Sequence, residues 1–168
     1  MAADPRLPFD PIERAGDLWR EQYGEAGPMR LVTSVMRVQQ LLMAEIEAAL
    51  RPIGITFARY EVLVLLTFSR SGSLPLSKVG ERLMVHPTSV TNAIDRLEAQ
   101  GLVSRVPDAS DRRRTLATLT PEGEDVVARA TKVLTDIDFG LRGISAEEQD
   151  TAYGILRSIR AAAGDFPA

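Results

Sequence analysis

The chain has no cysteine among its 168 residues. That removes disulfides, thiol catalysis and cysteine-ligated zinc in one step. It has one histidine, His86. A single imidazole without a thiol is poor material for a metal site or for acid–base catalysis, so no metal and no cofactor is expected. No apolar run reaches the length of about eighteen residues that spans a bilayer, so no transmembrane helix and no membrane partner is expected. The N-terminal stretch MAADPRLPFDPIERAGD lacks the apolar core of a secretory signal, which points to the cytoplasm. A glycine-rich phosphate loop, an HExxH pair and a GxSxG elbow are all missing, and no nucleophile has a histidine base beside it. The chain does not read as an enzyme. Internal repeats and low-complexity tracts are also absent.

What is present is ordinary in bulk and uneven in detail. Apolar residues make up 45% and charged residues 26%, with a formal charge of −3, as in a single soluble domain. The charge is segregated. From Arg70 to Thr120 there are eight Lys/Arg against five Asp/Glu, a net of +3, so the rest of the chain carries −6. A local positive field is what phosphate contacts need, whatever the total.

Periodicity divides the chain into a series of helices with one interruption. Asp10 caps a short helix from Pro11 that carries Trp19 and Tyr23, and Gly24 to Pro28 breaks it. A longer helix is expected over 29–51 on the stripe Leu31, Val35, Val38, Leu42, Ile46 and Leu50, with Met29, Met36 and Met43 as core or seam. Thr56 caps a third helix. The segment SRSGS is a turn, and a short helix runs from Leu76 to Leu83. Pro87 opens the next helix, to about Gln100, and Gly101 suits its C-terminal cap. The period then changes to that of a β-hairpin, 102–106 and 115–119, around a polar loop. Thr120 caps a long helix expected over 121–141. Ser145 with Glu148 forms a capping box for the last helix, which ends near Ala163.

The helix from Pro87 has two faces. Val90, Ile94 and Leu97 point one way, while Thr88, Ser89, Thr91, Asn92 and Arg96 point the other. Those polar side chains can hydrogen-bond base edges and phosphates, and they gather in the first turns, where a recognition helix reads the major groove. Taken alone, such a face also suits a capped, solvated surface helix. The hairpin that follows carries DASDRRR, a basic loop that can enter a narrow minor groove. In it Asp111 can orient Arg113 by a charge-assisted hydrogen bond, and Arg112 and Arg114 can reach flanking phosphates. The bland alternative for that loop is a solvated basic turn.

The run LSKVGERLMVHPTSVTNAIDRLEAQGLVSRVPDASDRRRTLATLTPEG, roughly 74 to 123, resembles the winged helix-turn-helix core of the MarR family of bacterial regulators. The spacing of D-R-R and L-T-P-E-G behind R-L-E-x-x-G-L-V carries the likeness. The resemblance implies a mainly α fold with a small β-hairpin, in which dimerisation helices flank the DNA-binding core. It implies an obligate homodimer on double-stranded DNA with an inverted repeat, and repression released by a small-molecule effector, anionic or phenolic. The DNA contacts it implies are Lys78, His86, Pro87, Thr88, Ser89, Thr91, Asn92, Arg96, Asp111, Arg112, Arg113 and Arg114. Trp19 and Glu61 resemble effector-binding positions of a urate-responsive branch, although the arginine of that branch's recognition helix is replaced by Ala93. Trp19 also suits a packing anchor.

The expected organisation is an N-terminal extension (1–28), a dimerisation helix (29–55), the DNA-binding module (56–120) and C-terminal dimerisation helices (121–168). The apolar stripes of the long helices exceed what a fifty-residue module can cover, which independently favours two-fold pairing. The rival reading is a helical dimeric protein-interaction module without specific DNA binding.

Overall fold

The computed structural model describes residues 7–109, 111 and 114–167. Seven α-helices surround a small antiparallel sheet: α1 (Pro11–Tyr23), α2 (Gly27–Leu50), α3 (Phe57–Thr67), β1 (Ser73–Pro75), α4 (Leu76–Leu83), α5 (Pro87–Ala99), β2 (Val103–Pro107), β3 (Thr115–Leu119), α6 (Pro121–Asp136) and α7 (Ala146–Ala162).

Most helix ends follow from their side chains. Asp10 Oδ1 accepts from the Ile12 N–H at 2.8 Å, Thr120 Oγ1 from the Gly123 N–H at 3.0 Å and Ser145 Oγ from the Glu148 N–H at 3.3 Å. Glu148 returns a bond to the Ser145 N–H, completing the capping box, and the Ser145 hydrogen bonds hold its carboxyl below the ordinary value. Helix α2 begins two residues before the expected start, because Pro28 sits in its first turn, where a missing N–H does no harm.

Two features depart from the periodicity. The helix expected over 121–141 ends at Asp136. Asp138 and Phe139 take left-handed backbone angles, φ 50° and 48°, and Gly140 follows at φ 86°, so the α-helical bonding stops while Ile137 still packs on the core. The hairpin also gains a third strand. β1 pairs antiparallel with β3, Leu74 opposite Ala117, giving the order β1-β3-β2. Three residues ending in proline are too short to show a period of two.

The core lies where α3, α4, α5, α6 and the sheet converge. Leu63, Leu66, Val79, Ile94, Leu97, Ala117 and Leu134 are fully enclosed. The end of L-T-P-E-G has a specific packing reason. A Cβ on Gly123 would lie 2.1 Å from the Leu102 carbonyl oxygen, so only glycine lets α6 start hard against the first residues of the hairpin.

The outer helices are different. α7 buries none of its residues and α1 buries only Gly16, pressed against Arg30 of α2. Among the described residues, 13 of the 21 large apolar side chains left exposed lie on α1, α2 and α7. An apolar groove of about 510 Å³ runs between α2 and α7, lined by Leu31, Val35, Val38, Ile155 and Leu156 among others.

Candidate nucleic-acid interface

Helices α4 and α5 cross at Gly80, where a Cβ would stand 3.3 Å from Val90 Cγ2. The turn between them closes through Met84 in the left-handed region, φ 55°, with the Val85 N–H donating to the Gly80 carbonyl at 3.2 Å. Val90, Ile94 and Leu97 anchor α5 in the core. The opposite face, Thr88, Ser89, Thr91, Asn92 and Arg96, is exposed along its whole length, and Pro87 at its start is exposed too.

His86 caps this helix. Its Nδ1 accepts from the Thr88 N–H at 3.2 Å, which leaves the ring proton on Nε2. The C-terminal end closes on Gly101, φ 73°, with the Leu102 N–H bonded to the Leu97 carbonyl at 2.9 Å and the Gly101 N–H to that of Glu98 at 2.9 Å.

The hairpin is fastened to α5 by Arg105, which bonds Asp95 and Glu98 through its guanidinium. Burial acts to lower the Arg105 pKa, but the two carboxylates outweigh it and raise it. Sequence reasoning counted Arg105 with the basic surface. The structure instead places it in a closed group with two acids. Without that group the segment 70–120 has seven Lys/Arg against three Asp/Glu, so the open positive excess is larger than the raw count suggests. The signal was faint, because the pairing crosses a turn and follows no helical spacing.

At the hairpin tip, the Arg114 N–H donates to the Asp111 carbonyl at 2.9 Å, and Arg114 Nε lies 3.7 Å from Asp111 Oδ2. The Asp108 N–H donates to the Arg114 carbonyl at 3.1 Å, closing the loop. Arg112 and Arg113 lie outside the described residues, and so does the expected pairing of Asp111 with Arg113. Lys78 is exposed on α4 and paired with Glu81 at 2.6 Å.

Trp19 and Glu61 stand on different elements. Trp19 is 40% exposed on α1 and its ring lies 4.9 Å from that of Tyr23. Glu61 is half-buried on α3, where burial pushes its carboxyl above the ordinary value. Among the described residues no hydrogen bond or ring contact joins the two. An open cleft of about 560 Å³ between the start of α3 and α5 is lined by Arg59, Ser89, Asn92, Ala93 and Arg96, with Thr56 and Ala58. The described residues contain no cluster of His, Asp or Glu able to hold a metal, and no helix long and apolar enough to cross a membrane.

A three-helix core with a capped, outward-facing third helix and a hairpin braced against it is a winged helix-turn-helix. The MarR family model matches residues 57–115, from α3 to the start of β3. The chain is 32% identical over 102 residues to the HTH-type transcriptional repressor Rv2887 of Mycobacterium tuberculosis, a match covering 61% of this chain and 72% of that protein. It is 35% identical over 96 residues to the HTH-type transcriptional regulator YhbI of Bacillus subtilis, covering 57% of this chain and 61% of YhbI. Among solved structures, the MarR family regulator Sco5413 of Streptomyces coelicolor shares 55% identity and a TM-score of 0.77, over 84% of this chain and 98% of that one. Sco3205 of the same organism, solved in complex with DNA, shares 26% identity and a TM-score of 0.73, over 82% and 90%. The chain belongs to the MarR family of transcriptional regulators.

Proposed function

We propose that the protein acts as a homodimer that binds an inverted repeat in double-stranded DNA and represses transcription from it until a small ligand releases it. The observation that carries this reading is the division of α5. One face is locked in the core, and the other presents Thr88, Ser89, Thr91, Asn92 and Arg96 to solvent. Asn92 suits adenine, Arg96 guanine or phosphate, and the threonine methyls the thymine methyl. Lys78 and the Nε2–H of His86 are phosphate donors at the start of the motif, beside Pro87. Arg113, oriented by Asp111, serves the adjacent minor groove, and Arg112 and Arg114 reach flanking phosphates.

The outer helices support the dimer. In the single chain α1, α2 and α7 leave 13 large apolar side chains exposed, and exposed apolar surface gathered on neighbouring elements marks an interaction site. Pairing them two-fold buries the excess and sets two α5 helices about 34–36 Å apart, one turn of DNA. The repressor role is supported by the name of Rv2887, and the DNA partner by the complex of Sco3205. The releasing ligand is an anionic or phenolic compound, with Trp19 and Glu61 in its site.

Mobility shifts with the wild type, Arg113→Ala and Asn92→Ala test the assignment. Loss of the wing arginine should weaken binding to all duplexes by about tenfold or more while the dimer persists. Loss of Asn92 should narrow the preference for one sequence by about 1–3 kcal/mol and leave nonspecific affinity nearly unchanged. Unchanged affinity for Arg113→Ala, or equal loss on every sequence for Asn92→Ala, would contradict the roles given to them.

A further inference from the structure

The recognition helix is held at its far end by a side-chain network that reaches the dimerisation helix. Gln100 is the C-cap of α5, and its amide spans a gap of more than forty residues in sequence. Its Nε2 donates to the Gly54 carbonyl at 3.0 Å, and its Oε1 accepts from Arg59 Nη1 at 2.9 Å. Arg59 Nε in turn donates to Thr56 Oγ1 at 3.2 Å. Gly54, at φ 84°, ends the short 3₁₀ turn that finishes α2, and Thr56 caps α3. The same junction is gripped from α2, because Glu47 Oε1 accepts from the Phe57 N–H at 2.8 Å. The connections therefore run without a break from α2, through the start of α3, to the C-cap of α5.

We infer that Gln100, with Arg59, is a positioning residue that fixes the angle of the recognition helix to the end of the dimerisation helix. Hydrophobic burial holds α5 in the core but is non-directional, and the Arg105 bonds to Asp95 and Glu98 tie the helix to the hairpin rather than to α2. Hydrogen bonds at the helix end are directional, and α5 is a lever of about 20 Å. A small swing at Gln100 displaces the base-reading turns at the opposite end. In a two-fold dimer it changes the separation of the two reading heads. The inference rests on the dimer-and-palindrome reading above, but the tie itself belongs to one chain.

The test uses Gln100→Ala and Gln100→Glu in the full-length protein, in two arms. The first is amide hydrogen exchange along α5 without DNA. Exchange at 97–102 should rise about tenfold in Gln100→Ala, since one neutral and one charge-assisted hydrogen bond on the surface together shift an equilibrium by about one decade. Gln100→Glu, which keeps the Arg59 bond but loses the donor to Gly54, should fall between. The second arm measures affinity for an inverted repeat selected by the wild type from random duplexes, and for the same repeat with its half-sites moved by one base pair. Gln100→Ala should lose about tenfold on the selected spacing, yet bind an isolated half-site as the wild type does, so that its discrimination between spacings shrinks. A residue that merely stabilised the fold would lower all three affinities together, and that result would overturn the proposal. Unchanged exchange across α5 would overturn it regardless of DNA. A wild type that selects no inverted repeat would sink the dimer-and-palindrome reading, and the exchange arm would then decide the tie alone.

Discussion

Glu61 carries a property with a measurable sign. Its half-buried carboxyl makes no hydrogen bond or ion pair among the described residues, and burial raises its pKa. The folded chain therefore holds that proton more tightly than the unfolded chain does. The associated stability is present at low pH and is lost as pH rises through the raised value. Glu61→Gln mimics the neutral form. It should melt higher than the wild type at pH 7, and the gain should shrink towards nothing at about pH 4, where carboxylates take up protons anyway. Thermal melts at the two values check this, and an equal gain at both would contradict it. If an effector is held at Glu61, the same substitution should also alter its binding. His86 illustrates a different lesson at this scale. The sequence showed a lone imidazole before a proline, and only the backbone showed it capping the next helix through Nδ1.

At the scale of elements, the junction between the hairpin and α6 explains a motif that the sequence could only display. In L-T-P-E-G, Thr120 caps α6, Pro121 opens it, and Gly123 clears the Leu102 carbonyl. Thr120 Oγ1 also donates to the Gly101 carbonyl at 2.8 Å, so one residue joins the end of the recognition helix to the start of α6. Gly123→Ala forces a methyl into that contact. It should destabilise the fold by about 1–3 kcal/mol, read by urea denaturation, whereas Gly101→Asn, at a left-handed position with open space around it, should cost less.

Helix starts, the two faces of α5 and the hairpin were legible because capping residues and periods of 3.6 and 2 are local signals. The early end of α6 was not, because the apolar stripe runs on through Ile137 to Leu141, past the left-handed backbone at Asp138 and Phe139 that ends the helix. β1 was hidden by its length. The ties made by Arg105 and Gln100 were hidden because long polar side chains choose partners by fold, not by spacing.

For the whole molecule, the imbalance between a well-filled DNA-binding core and uncovered outer helices is the main physical fact. Ile155 on α7 is 52% exposed in the single chain, so an aspartate there meets no intramolecular obstacle. Ile155→Asp should therefore preserve helix content and leave melting of the core intact, but should shift the protein towards monomer in analytical ultracentrifugation. A variant that stays dimeric would move the interface away from α7. Since α7 and the upper part of α2 bury so little alone, the monomer should also show faster amide exchange along both helices than along α3 or α5.

The most direct measurement is a mobility shift of the wild-type protein on the DNA upstream of its own coding sequence, at about 50 and 200 mM salt. Two basic wings and two capped α5 helices should neutralise about six or more phosphates. The account predicts retention of one short inverted repeat, with affinity falling about a thousandfold or more between the two salt concentrations. A folded dimer whose binding barely responds to salt, or that retains no inverted repeat either from this DNA or from a pool of random duplexes, would contradict it and favour a protein-interaction module.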